Sequence, residues 1–151
     1  MLFRSAEEIT TVPLANGGSM KVVAGTVHGE SGPVETTSPM TYAHASMNPG
    51  DVVEWAPPAG HTALIHVFDG DARVNDELVT SGQMAVFDRQ GGSIRVVAGE
   101  AGAQVLVLGG EPLNEPVARY GPFVMNTREE LVTAVQEFND GALVKVGKAT
   151  L

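Results

Sequence analysis

The sequence predicts an all-β sandwich or barrel closed by one short C-terminal α-helix, and three observations carry that prediction. First, 18 Gly plus 9 Pro make 27 of 151 residues, about 18% against an average usage of about 12%. Second, turn signals recur at short intervals and leave segments of strand rather than helix length between them. Third, 43% of the chain is hydrophobic and only 18% charged, enough to fill a core at this length but too few charges for long solvated helices. A chain this long is expected to form one domain.

The turn signals in order are Asn16-Gly17-Gly18, residues 29–33, Asn48-Pro49-Gly50, residues 57–60, Asp69-Gly70, Ser81-Gly82, Gln90-Gly91-Gly92 and residues 99–102. Strands are therefore expected at 20–27, 41–47, 51–55, 62–68, 83–87, 94–98 and 104–108. In the sixth, Ile94, Val96 and Ala98 alternate with Arg95 and Val97, the period-2 pattern of a half-buried strand. The seventh is apolar on both faces after Gln104, as a central sandwich strand would be. The rhythm then breaks. Thr127-Arg128-Glu129-Glu130 is a capping box, in which hydroxyl and carboxylate satisfy free N–H groups reciprocally. Leu131, Ala134, Val135 and Phe138 follow at helical spacing, and Asp140-Gly141 supplies the stop. Residues 142–151 carry Lys145 and Lys148 and read equally as strand or tail.

Composition also excludes. Nine basic against 18 acidic residues give a net charge of −9, which repels a phosphate backbone and disfavours nucleic-acid binding. Zero Cys removes disulfides, thiolate metal sites and a Cys nucleophile, and fits the reducing cytoplasm. No apolar run reaches the ~18–20 residues of a membrane span, and no secretory signal pattern opens the chain.

Candidate chemistry centres on the four histidines, His28, His44, His61 and His66. A His-based metal site needs at least three converging ligands. His61 and His66 are an odd number of residues apart, which on one straight strand puts them on opposite faces. The pattern therefore favours structural or surface histidines over ligands. No Gly-x-Ser-x-Gly elbow and no phosphate loop occurs. Glu111 and Glu115 flank Pro112, and solvated or capping roles suit them better than an acid–base pair. The run Arg119-Tyr120-Gly121-Pro122-Phe123-Val124-Met125-Asn126-Thr127 is more unusual, with a rigid turn and a bare apolar triplet before the helix cap. Phe123 could staple the helix start, or Phe123, Val124 and Met125 could dock another domain.

These same residues carry a resemblance. Leu108-Gly-Gly-Glu-Pro-Leu-Asn-Glu-Pro-Val-Ala-Arg-Tyr-Gly-Pro-Phe-Val-Met-Asn-Thr-Arg-Glu-Glu-Leu131 resembles the C-terminal signature of the pirin family. Gly32-Pro-Val-Glu-Thr, Pro49-Gly50, Pro57-Pro-Ala-Gly-His61 and Asp69-Gly70 are similar in order and spacing to the second pirin cupin. The likeness covers about residues 7–141. It implies a cupin double-stranded β-helix, or jelly roll, in agreement with the strand reading. Pirins are usually two cupins in one chain, the N-terminal one holding a single metal through three His and a Glu. That site is associated in bacteria with quercetin 2,3-dioxygenase activity, opening a flavonol ring with O₂. In animals the family includes a nuclear iron protein that acts as a transcription cofactor. Here Pro57-Pro58-Ala59-Gly60 stands where the His-x-His motif would be, and Gly82-Gln83-Met84-Ala85 where the later His would be.

The resemblance thus implies a C-terminal, metal-free cupin whose missing N-terminal cupin would carry Fe or another divalent metal and the dioxygenase activity. The isolated chain is expected to be inactive, with that N-terminal cupin as its partner or a homodimer of the fragment in its place. A stand-alone cupin holding a small ligand in a barrel lined by His44, His61 and His66 is the alternative, and a protein-interaction module is another. The expected organisation is a non-native leader at 1–5, the cupin at 6–126, its helix at 127–141 and a tail at 142–151. Leu-Phe-Arg-Ser is also what CTC-TTC-CGA-TCT encodes, the end of a common sequencing adapter, which suggests a truncated gene.

Overall fold

The computed structural model describes residues 5–143. Most of the expected leader and tail, residues 1–4 and 144–151, lies outside the described residues. The chain divides into two compact units, one ending at Pro112 and the other starting at Leu113.

After a 3₁₀ turn at Ala6–Glu8, the first unit holds β1 (Thr10–Pro13), β2 (Ser19–Ala24), β3 (Thr26–Val27), β4 (Glu30–Ser31), β5 (Met40–Met47) and β6 (Val52–Trp55). It continues with β7 (Thr62–Val74), β8 (Glu77–Thr80), β9 (Gln83–Phe87) and β10 (Ile94–Gly110). One antiparallel sheet runs β1-β2-β5-β10-β7-β8, with β6 added on β10 and β9 on β7. The two long strands each serve two layers. Residues 103–110 of β10 and 62–69 of β7 complete the larger layer, β1-β2-β5-β10-β7-β9. Residues 94–98 and 72–74 complete the smaller one, β6-β10-β7-β8. Their inward faces share one core, with Met20, Val22, Ile65, Val67, Val105 and Val107 from the first layer and Val53, Trp55, Val74 and Val96 from the second. This is the expected jelly-roll sandwich.

The strands at 62–68, 94–98 and 104–108 do not end where the turn signals place them. Asp69-Gly70 and residues 99–102 are bends inside continuous strands, and the ladder slips register between Ala98/Ala103 and between Gln104/Val105. Gly70 sits at φ 71°, and a Cβ there would collide with the Gly102 carbonyl oxygen. Glycine therefore marks a bulge where two backbones meet as the sheet folds over. The strand expected at 20–27 breaks at Gly25, and its last two residues form the β3–β4 hairpin instead. The sequence pattern also missed β8. Its turn is Asn75-Asp76, both in the left-handed region at φ 47° and 71°, without the glycine that usually announces such a hairpin.

One buried carboxylate ties two of the loops. Asp51 is 0% exposed and accepts backbone N–H bonds from Asn16 at 2.6 Å, Asn48 at 2.8 Å and Gly18 at 3.0 Å. A Cβ at position 18 would strike this carboxylate, so the Asn16-Gly17-Gly18 turn is shaped to receive it.

The second unit contains β11 (Ala118–Tyr120), β12 (Phe123–Met125) and α1 (Arg128–Asn139). Gly121-Pro122 forms the two-residue turn of the β11–β12 hairpin, with Gly121 at φ 55°. The capping box is present. The Glu130 N–H donates to Thr127 Oγ1 at 3.2 Å, and Glu130 Oε2 accepts from the Thr127 N–H at 2.9 Å. At the other end Gly141 lies at φ 70°, and the N–H groups of Gly141 and Ala142 donate to Phe138 and Glu137 carbonyls, a Schellman closure. Among the described residues no helix is long and apolar enough to cross a membrane.

Candidate functional site

His44 and His66 do not line the barrel. On β5, Ala43 and Ala45 are both 0% exposed, and on β7 so are Ile65 and Val67. Strand alternation therefore turns His44 and His66 to the opposite, outer face of the larger layer. The expectation of a His-lined interior fails for a simple reason. The interior is already occupied by Ala, Val, Ile and Met side chains.

On that outer face the two histidines flank one residue. Leu106 on β10 pairs with His44 on one side and His66 on the other. The Phe68 ring spans them, with centroids 5.6 Å from His44 and 6.3 Å from His66. His44 Nε2 lies 2.9 Å from Gln104 Oε1, and Gln104 Nε2 donates to Ser46 Oγ at 2.8 Å. His66 Nδ1 lies 3.0 Å from the Gln83 carbonyl oxygen. Both acceptors lack a proton, so each ring must donate. His44 therefore carries its proton on Nε2 and His66 on Nδ1.

His61 stands apart, just before β7, where its N–H donates to the Pro58 carbonyl at 3.1 Å. It borders a pocket of about 350 Å³ at the sandwich mouth, shared with Met40, Trp55 and Pro58. His28 sits in the β3–β4 turn at φ 53°, where its Nδ1 accepts the Glu54 N–H at 3.2 Å. That bond gives it a structural role.

Among the described residues no three His, Asp or Glu side chains come together as a ligand set for a divalent metal. The inward positions Ala43, Ala45, Ala63, Ile65, Val105 and Val107 offer no donor atom. Two outer histidines with Leu106 between them are one ligand short. The described residues do not fit a metal.

In the second unit, Phe123, Val124 and Met125 form β12. Val124 is 57% exposed, while Phe123 packs edge-on against Phe138 at 5.7 Å. Phe123 thus meets the far end of α1 instead of stapling its start. A groove of about 470 Å³ lies between Arg119, Tyr120, Arg128, Leu131, Val132 and Val135. Glu115 accepts from Asn126 Nδ2 at 2.9 Å, a loop-bracing role, and Glu111 bonds through its backbone N–H to the Pro39 carbonyl.

The model of the pirin C-terminal cupin domain matches residues 42–144. The chain belongs to the pirin family. Human pirin is 32% identical over 140 residues, covering 89% of this chain and 48% of the human protein. A Pseudomonas aeruginosa protein named "Putative quercetin 2,3-dioxygenase" is 37% identical over 128 residues, 85% of this chain and 44% of that one. The crystal structure of a quercetin 2,3-dioxygenase from Acinetobacter baumannii superposes with a TM-score of 0.85 at 34% identity, over 95% of this chain and 50% of that chain. The chain thus has the cupin fold, and it spans about half the length of the curated relatives it matches.

What the sequence pattern missed is the character of the outer face, to which Tyr42, Phe68, Met84 and Val86 contribute alongside the histidines. The available signal was the segment 104–108, apolar on both faces. Its second apolar face is this one.

Proposed function

We propose that this chain is the C-terminal, metal-free cupin of a pirin-like protein, in which an N-terminal cupin carries a metal-dependent, quercetinase-like dioxygenase activity. The observation that carries the reading is the inner face of the jelly roll. At the centre of the inner face, β5, β7 and β10 present Ala43, Ala45, Ala63, Ile65, Val67, Val105 and Val107, none of which carries a donor atom. Metal-assisted ring opening of a flavonol by O₂ needs a ligand set for the metal, and the described residues bring none together. Its role is to pack against the cupin that does, with cytoplasmic location fitting the absence of cysteine.

The alternative of a ligand held in a barrel lined by His44, His61 and His66 has little support, because His44 and His66 face outward and only His61 borders a cavity, at the sandwich mouth. An interaction module is better supported, by the apolar outer face of the larger layer.

The test is metal analysis of the isolated chain after exposure to Fe²⁺ and other divalent ions, with quercetin turnover followed spectroscopically. Neither retained metal nor turnover is expected. Stoichiometric metal lost on His44→Ala or His66→Ala would overturn the reading.

A further inference from the structure

The second unit is acidic, yet its charges are sorted. Among its described residues, 113–143, the acidic side chains are Glu115, Glu129, Glu130, Glu137 and Asp140, and the basic ones are Arg119 and Arg128. Both arginines line the groove of about 470 Å³ between the β11–β12 hairpin and α1, and none of the acidic residues does. Local structure explains this placement. Arg128 is the first residue of α1, and Leu131, Val132 and Val135 follow at the spacing that puts all four on one helix face. Arg119 and Tyr120, the last two residues of β11, line the groove from the hairpin. Leu131, 8% exposed, and the half-buried Val135 make an apolar floor. Val132 and Tyr120, both well exposed, make the rim.

Neither arginine has a carboxylate partner among the described residues. Two carboxylates near them in sequence are engaged elsewhere. Glu115 accepts from Asn126 Nδ2 at 2.9 Å, and Glu130 from the N–H groups of Asn126 and Thr127 at 3.0 and 2.9 Å. In a chain of net charge −9, two unpaired guanidinium groups beside an apolar floor are the complement of an anion with a hydrocarbon body. We propose that this groove binds a small amphiphilic carboxylate, whose charged head meets Arg119 and Arg128 while its alkyl or aryl body lies on Leu131, Val132 and Val135. The volume falls within the roughly 300–1,000 Å³ of small-molecule sites. A planar carboxylate suits the guanidinium fork, which can engage both of its oxygens. A phosphate is served less well. Its usual seat is the free N–H groups of a helix N-terminus, and the N-terminus of α1 is already closed by Thr127 Oγ1 and Glu130. Residues 144–151 are no match for the groove either, since they carry Lys145 and Lys148 and no acidic side chain. The proposal does not depend on whether the jelly roll holds a metal.

The test is titration of the full chain with 6-phenylhexanoate, followed by amide NMR. Saturable shifts are expected at residues 119–120 and 128–135, with half-saturation below about 1 mM. The matching alcohol, which keeps the body, and acetate, which keeps the head, should each bind at least about tenfold more weakly. Arg119→Gln and Arg128→Gln should each weaken binding by roughly three- to tenfold, as exposed charge-assisted contacts do, and the double variant by more. Arg89→Gln, which removes a charge from the first unit, should leave binding unchanged. All three arginines are exposed, so these substitutions do not threaten folding, and circular dichroism of each variant checks this. Equal binding of alcohol and acid would overturn the proposal, as would a double variant that binds like the wild type. So would shifts centred on Met40 and Trp55 at the sandwich mouth, or no shift at millimolar excess of the acid. Groove amides that respond to protein concentration but not to the acid would assign the groove to a second copy of the chain and overturn it too.

Discussion

Replacing Asp51 by alanine is expected to destabilise the first unit by about 3–5 kcal/mol. The carboxylate is 0% exposed and receives three backbone N–H groups at 2.6, 2.8 and 3.0 Å. Hydrogen bonds to a charged acceptor contribute roughly 1.5–3 kcal/mol each. Simple addition overshoots, because the three share one group and water can reach part of the vacated loop. The remaining cost is that of stranded N–H groups on loops joining β1 to β2 and β5 to β6. Asparagine should do less harm, about 2 kcal/mol, since its carbonyl keeps part of the set while its amide opposes an N–H. Urea and thermal denaturation measure both, with the urea m-value unchanged if only the native state is affected. At this chain length 1 kcal/mol shifts the midpoint by about 2–4 °C, so the alanine variant should melt roughly 6–20 °C lower. A loss under ~1 kcal/mol for Asp51→Ala would refute the assignment of Asp51 as the tie between the loops.

Three further outcomes are expected. Gly70→Ala should cost about 2–4 kcal/mol by denaturation, because φ 71° and the Gly102 carbonyl both oppose a Cβ, whereas Gly60→Ala, with open space around it, should cost clearly less. Thr127→Ala should cost about 1 kcal/mol, read as lost helical signal and early fraying of α1, and Thr127→Ser should restore most of it. Nitrogen-detected NMR in neutral buffer should find the proton on Nε2 of His44 and on Nδ1 of His66, and Gln104→Ala should release the first tautomer but not the second.

Much of the fold was legible in residue order because its causes are local. The capping box at Thr127 and Glu130 and the Gly141 stop act within a few residues of themselves, and the period-2 patterns mark which side chains must be covered. Glycine was read correctly as a break in regular backbone but not as to kind. Gly70 looks the same in sequence whether a strand ends or folds over, and only the approach of Gly102 from a strand over thirty residues away selects the second. Asn75-Asp76 escaped notice because left-handed backbone without glycine is uncommon and gives little sign of itself.

The candidate site divides along the same line. That Ala43, Ala45, Val105 and Val107 carry no donor atom is read from the sequence, but that these are the residues facing inward is not. The sequence alone also determined the all-β class, the terminal helix and the kinship to pirins, all of which reside in local pattern and motif. Which way the histidines face was settled only by tertiary structure, because a strand's alternation has two sides and the partner strands decide which side is core. The same is true of the second apolar face on residues 104–108. Sequence reports that both sides of that strand are hydrophobic, but only the packed sandwich shows that one of them is left uncovered.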